Sequence, residues 1–493
     1  MPKQITQEFL PELSAPVSKI VNSMFQSYEW PAHWKIEHVI PIAKTTSPEN
    51  EDDIRPISLT PFYSKVAEHF VVSWLLKFIG HKLDFRQYGG LRGNSITHYI
   101  IEFVNFILSS QDSSDQTAIL ACMVDFSKAF NRQNHNTLIT KLSDLGVPGW
   151  LLKIVISFLQ DRKMQVRYKG KTSEVKSMPG GGPQGTLLAL ILFIVMINDF
   201  GFDEQQNNVG ELITSRRNLK LANEIHLKFV DDLTLAEAIN LPEQLVKVAG
   251  QSEFTLPVLR SKVYTQLLKI KNQADDNQMK INYKKTKVMV FNPCKSLKFK
   301  PKLEVEGNPL EVVEETRLLG LTIRSDMRWN TNTNNMVKKA SKRLWLLRRL
   351  KFLGASTDDL VEVYTKQIRC ILELAAPAWH GGISQTEKQD LERVQKCATH
   401  IILGNSYTSY KDALEILHLD SLEVRRSSLA LKFALKSEKH TKFNSWFKPA
   451  TKPKNTRTKL FKYCEVKSNH SRFSKSPLSY LTRILNMHYF NKD

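Results

Sequence analysis

Apolar positions along the chain change period several times, and each change marks an element. "ITQEFLPELSAPVSKIVNSMFQSYEW" mixes short helical stretches with proline breaks, "HVIPIAK" alternates like a strand, and "TTSPENEDD" is a polar loop. "ISLTPFYSKVAEHFVVSWLLKFI" predicts one long, largely apolar helix, and "SITHYIIEFVNFILSS" another. "TAILACMVDF" is apolar from Ala118 to Val124, as a strand buried on both faces would be. Two helices, "HNTLITKLSDLGV" and "GWLLKIVISFLQDR", precede "KMQVRYKGKTSEVKSMP", which alternates and turns at Lys169-Gly170. A glycine turn then opens the apolar helix "LLALILFIVMI", and "IHLKFVDDLTLAEA" reads as a second hairpin with a turn at its two aspartates. Beyond about residue 300 the pattern becomes mainly helical and more basic.

Composition narrows the class. Hydrophobic residues make up 42% of the 493, an ordinary globular content, and the chain is long enough for two or three packed units. The apolar run Leu187–Ile197 has 11 residues, short of the roughly 18 that a membrane helix needs, so no membrane partner is expected. Five scattered cysteines without a CxxC support neither a disulfide frame nor a zinc site, and fit a reducing compartment, nuclear or cytoplasmic.

Charge changes the picture most. The chain carries 70 Lys and Arg against 49 acidic residues, a net +21, which attracts polyanions, nucleic acid above all. "KKASKRLWLLRRLK" (338–351) holds seven basic residues and no acidic one. Its Ala340, Leu344, Leu347 and Leu350 predict an amphipathic helix with a cationic outer face. Residues 441–493 add 12 Lys and Arg against Glu465 and Asp493, with weak periodicity and prolines at 449, 453 and 477. A basic tail, disordered in part, is expected there.

The candidate chemistry lies in carboxylates at strand ends. Asp231 and Asp232 interrupt "FVDDLTLAEAIN"; Asp125 ends the strand "CMV" in "CMVDFSKAF". Singly, each is an ordinary turn or cap residue. If the two strands lie side by side, three carboxylates converge and repel one another unless cations sit between them. Carboxylate oxygens suit Mg²⁺, and two such ions assist phosphoryl transfer. "PGGGPQGT" lets backbone amides approach a ligand, with a helix N-terminus aimed at it.

The order "RPISL" (55–59), "VDFSKAF" (124–130), "GGGPQGTLLALILF" (180–193), "FVDD" (229–232) and "NYKKTKVMVF" (282–291) resembles the reverse transcriptases of non-LTR retrotransposons. "PAHWKIEHVIPIAK", "TRLLGLTIRSDMRW" and "LELAAPAWHGGISQTEKQDLERVQKCATHIILG" extend the likeness over roughly residues 10–440. The resemblance implies an α+β right-hand polymerase, with fingers and an antiparallel palm sheet over residues 25–323 after a lead-in (1–24). A helical basic thumb and connection would follow over 324–440, then the tail (441–493). It implies two Mg²⁺ ions on Asp125 and Asp231, with Asp232 beside them and the Phe126 carbonyl as a further ligand. For the nucleotide it implies Arg55 on the triphosphate, Phe130 as a gate against the 2′-hydroxyl, Gln184 against the incoming nucleotide and template with Gly185 beside it, and Lys285 on the leaving pyrophosphate. Lys44 is set aside as an ordinary solvated lysine. The expected partners are an RNA template, a DNA primer and dNTPs.

Three positions depart from the family pattern. Asn131 stands where Asp is common, Val230 replaces a usual Ala, and "LLALILF" lacks a frequent Pro. No endonuclease-like segment precedes the fingers, as in a truncated element copy. A catalytically inactive or co-opted nucleic-acid binder is therefore an alternative. A metal-dependent nuclease is another, although it would have no use for Phe130 or Gln184.

Overall fold

The computed structural model describes residues 8–490 except 46, 115, 128–132, 179, 202–222, 242–245, 248–253, 256–260, 295–300 and 451–460. Its first part contains α1 (Leu10–Ser27), β1 (Ile36–Ala43), β2 (Ile54–Leu59), α2 (Phe62–Ile79), α3 (Ile96–Ser113) and β3 (Thr117–Val124). There follow α4 (His135–Asp144), α5 (Gly149–Leu159), β4 (Lys163–Tyr168), α6 (Leu187–Met196), β5 (Glu224–Phe229) and β6 (Asp232–Asn240). Then come α7 (Lys262–Asp276), β7 (Lys287–Phe291), α8 (Asn330–Phe352), α9 (Gln385–Leu403), α10 (Leu422–Lys439) and α11 (Pro477–Phe490).

One sheet runs β2-β1-β4, with β1 antiparallel to β2 and parallel to β4. A second five-stranded sheet, the palm, runs from the short strand Glu311–Val312 through β7-β3-β6 to β5. β3 lies at its centre, antiparallel to both β6 and β7. The all-apolar composition of β3 explains that place. Ala118, Leu120, Cys122 and Val124 join a core shared with α2, α4, α5, α6 and α7. Ile119 and Ala121 face a second core with α3 and the later helices. A strand with period-two burial on both faces can sit only where both faces are covered.

Several expectations are corrected. "ISLTP" belongs to β2 and its following turn, and the helix begins at Phe62; Pro56 and Pro61 flank that break and each disfavours helix for its predecessor. Residues 304–324 form short strands before the helices start. The weakly patterned tail carries α11, whose Leu478, Leu481 and Leu485 are buried against α3 and α10, and Tyr463 and Phe473 join the same core. Among the described residues, no helix is long and apolar enough to cross a membrane.

Candidate active site

β3 and β6 end at one edge of the palm. Val124 pairs with Leu233, so one further step of the antiparallel register sets Asp125 opposite Asp232. Phe229 pairs with Asp232 across the β5–β6 hairpin, which leaves Val230 and Asp231 as its two-residue turn. Val230 has φ +57°, a left-handed conformation that lets the chain reverse within two residues. Three carboxylates thus meet at one corner.

Their electrostatics follow from that crowding. Burial raises the Asp125 carboxyl; Lys285 and Lys44 pull it down and Asp231 pushes it up. Asp231 is raised by desolvation against Arg55. Asp232 is raised to about 7, by desolvation first and then by Asp231 and Asp125. Asp231 and Asp232 nevertheless reach solvent at their surfaces, so they stand crowded by protein yet open to a ligand. The cations come from three elements: Arg55 on β2, Lys44 after β1, and Lys285 before β7. Lys44 acts on Asp125, although by its sequence context it reads as an ordinary solvated lysine.

The segment before β7 locks the far side of Asp125. The backbone N–H of Asn282 donates to the Asp125 carbonyl (2.8 Å), and the N–H of Asp125 donates to Thr286 Oγ1 (3.3 Å). Both backbone groups of Asp125 therefore face that segment. In an antiparallel ladder the next residue turns the other way, so the Phe126 carbonyl is directed to the β6 side, where Asp231 lies. Neither Asn282 nor Thr286 could be singled out without this register.

Ser58 on β2 donates its N–H to the carbonyl of Gln184 (2.9 Å), which joins the glycine turn to the strand carrying Arg55. Gly185 follows at φ +110°, a conformation suited to glycine, and Thr186 caps α6 through its hydroxyl to the Ala189 N–H. The described contacts bind Gln184 to β2 rather than to the acids. Phe130 and Asn131 lie outside the described residues.

Among the described residues, no three His, Cys, Asp or Glu side chains form a ready cage for a metal ion. The donor set still fits a hard divalent cation. Such an ion takes one or two carboxylates and completes its shell with water and substrate phosphates. Asp125, Asp231 and the Phe126 carbonyl are available for this, and a cation would offset both the desolvation and the mutual repulsion that raise Asp232.

Known proteins resemble the chain in sequence. A probable RNA-directed DNA polymerase from transposon BS of Drosophila melanogaster is 26% identical over 375 residues, 74% of this chain and 37% of that protein. The RNA-directed DNA polymerase from mobile element jockey of the same organism is 30% identical over 183 residues, 36% of this chain and 20% of that protein. The chain thus spans well under half the length of these curated relatives. A solved telomerase from Candida tropicalis overlaps loosely, with a TM-score of 0.39 at 11% identity over 96% of this chain and 65% of that one. A family model described as reverse transcriptase (RNA-dependent DNA polymerase) matches residues 42–323. With more than half its length inside that match, the chain belongs to the reverse transcriptase family.

Proposed function

We propose that this chain is an RNA-directed DNA polymerase, adding dNTPs to a primer 3′-hydroxyl on an RNA template. The single observation that carries this reading is the corner where Asp125, Asp231 and Asp232 meet under cations from three separate elements. Asp125, Asp231 and the Phe126 carbonyl would hold Mg²⁺, with Asp232 beside them. Bound there, the ions supply the charge that stabilises the attacking and leaving oxygens in phosphoryl transfer.

The chain's own residues do the rest. Arg55 offers a planar fork of donors to the triphosphate and, standing next to Asp231, keeps it close to the acids. Gln184 and Gly185 present the glycine turn to the incoming nucleotide and template. Phe130 would lie under the sugar and leave no room for a 2′-hydroxyl, which selects dNTP over NTP. Lys285, whose charge acts on Asp125, would give a proton to the departing pyrophosphate.

Primer extension on an RNA template with Mg²⁺ tests the reading. Asp231→Asn should abolish extension while leaving primer–template affinity within about twofold, because the carboxylate acts in the transition state. Undiminished extension by that variant refutes the assignment. The alternative is a nucleic-acid binder without catalysis, which would rest on the net charge of +21 alone. A wild-type chain that binds primer–template and extends none would select it.

A further inference from the structure

Residues 84–89 run alongside β5 and touch the turn that bears Asp231. Lys228 donates its N–H to the Arg86 carbonyl (3.0 Å) and Tyr88 donates to the Lys228 carbonyl (2.8 Å), so this segment continues the palm sheet past its edge strand. Gln87 is 1% exposed. Its Oε1 accepts the N–H of Val230 (2.9 Å) and the N–H of Gly89 (2.8 Å). Both partners are donors, so the oxygen, not the nitrogen, of the Gln87 amide must face them.

Val230 needs such a partner. A β-branched residue at φ +57° persists only where its surroundings enforce it. Gly89 supplies the close wall: a Cβ there would lie 2.6 Å from Val230 Cγ2 and 2.7 Å from its backbone nitrogen. The segment is itself fixed from behind. The carboxylate of Asp84 receives the ammonium of Lys228 at 2.7 Å, both side chains nearly fully buried, and Lys228 also donates to the Ile197 carbonyl (2.9 Å). Lys442, from the C-terminal region, donates to the Gln87 backbone carbonyl (3.2 Å) and sits 3.6 Å over the Tyr88 ring.

We infer that Gln87 is a positioning residue, which aims the Asp231 and Asp232 carboxylates by holding the Val230 amide in its left-handed conformation. Asp231 follows Val230 directly, so a rotation at Val230 swings its carboxylate away from Asp125. The inference rests on the polymerase role proposed for this corner.

Two readouts test it. Gln87→Met keeps the length and removes the acceptor; Gln87→Glu keeps an acceptor oxygen. Gln87→Met should lower kcat at least about tenfold, with the dNTP KM and primer–template affinity within about twofold, since a small misplacement of reacting groups acts on the chemical step. Gln87→Glu should recover much of that loss. Hydrogen exchange at the Val230 amide should rise at least about tenfold in Gln87→Met, as its buried hydrogen bond is lost. Unchanged kcat, or unchanged exchange at Val230, overturns the inference. A Gln87→Met chain that does not fold is replaced by Gln87→Asn, which withdraws the same carbonyl by one carbon and faces the same criteria. If wild-type protein extends no primer, the polymerase reading fails by itself and the exchange measurement alone decides the role of Gln87. In the Val230→Gly background, where glycine takes positive φ unaided, the kcat loss from Gln87→Met should shrink to under about threefold. An equal loss in both backgrounds also counts against it.

Discussion

The backbone N–H of Asn282 donates to the carbonyl of Asp125 at 2.8 Å and, with the Asp125 N–H bond to Thr286 Oγ1, holds Lys285 at the acidic corner. Lys285 is the strongest charge acting on Asp125, where it opposes the rise that burial causes. Removing a nearby positive charge raises a carboxylate's pKa. Lys285→Met should therefore move the acid limb of the pH–kcat/KM profile towards neutrality. It should also lower the maximal rate about 100-fold if the ammonium protonates pyrophosphate. Lys285→Arg keeps the charge, so it should restore the limb but not the full rate. An acid limb that stays in place in Lys285→Met would show that Asp125 does not feel this lysine.

The three acids also set a trade of stability against chemistry. Asp125, Asp231 and Asp232 are all raised, Asp232 to about 7. An unfolded Asp titrates near 3.9, so the folded chain binds these protons more tightly. The Asp232 contribution is fully favourable below about pH 4 and is lost as pH rises through about 7; those of Asp125 and Asp231 have the same sign. Asp232→Asn should raise Tm at pH 8 and leave it unchanged at pH 4, by a modest amount because Asp232 reaches solvent. Saturating Mg²⁺ should raise the wild-type Tm at pH 8 more than that of Asp231→Asn. Calorimetry with and without the cation checks both, and identical Tm values at pH 8 would count against the crowding.

Much of this site was legible because strands announce themselves by composition. The apolar run of β3 asked for a central place and "FVDD" for a tight reversal, but that both acid-bearing ends share one sheet edge was only a condition in the sequence, met by the register of β3 on β6. What could not be read was anything fixed by a partner distant in sequence. Gln87, 143 positions before Val230, looks like any buried glutamine until the segment beside β5 is seen. Lys44 differs from other lysines only because β1 ends near Asp125. The proline-rich tail misled for a similar reason: α11 gains its order from packing on α3 and α10 rather than from its own helical propensity.

That packing predicts a large effect far from the acids. Leu481 is fully buried, within a core that contains α3, α10 and α11. Leu481→Ala should destabilise the fold by about 2–5 kcal/mol, the range for a large-to-small change in a closed core. Met487, on the same helix but 61% exposed, should tolerate Met487→Ala with a change under about 0.5 kcal/mol. Urea unfolding of the two variants measures the contrast, and equal midpoints would show that α11 is not part of the cooperative unit.

The basic helix divides its cations between two tasks. Lys351 donates to the carbonyls of Ile401 and Ile402 at 2.7 and 2.9 Å, and Arg343 to the carbonyl of Gln367 at 2.6 Å, so these two close the fold. Lys338, Lys342 and Arg349 instead share one exposed stripe of α8 with Trp345 and Phe352, 62% and 79% exposed. Spacings of 4, 3, 4 and 3 residues keep all five within a narrow sector of the helix. If this stripe meets a phosphate backbone, substituting its three cations with alanine should reduce the slope of log affinity against log salt by about 0.9 per lost contact on duplex. Stability should hardly change, because these side chains lie outside the core. Lys351→Ala should do the reverse, lowering Tm and leaving the salt slope where it was. Titrations of primer–template binding across a salt series separate the two. A triple variant with an unaltered slope would remove α8 from the nucleic-acid interface.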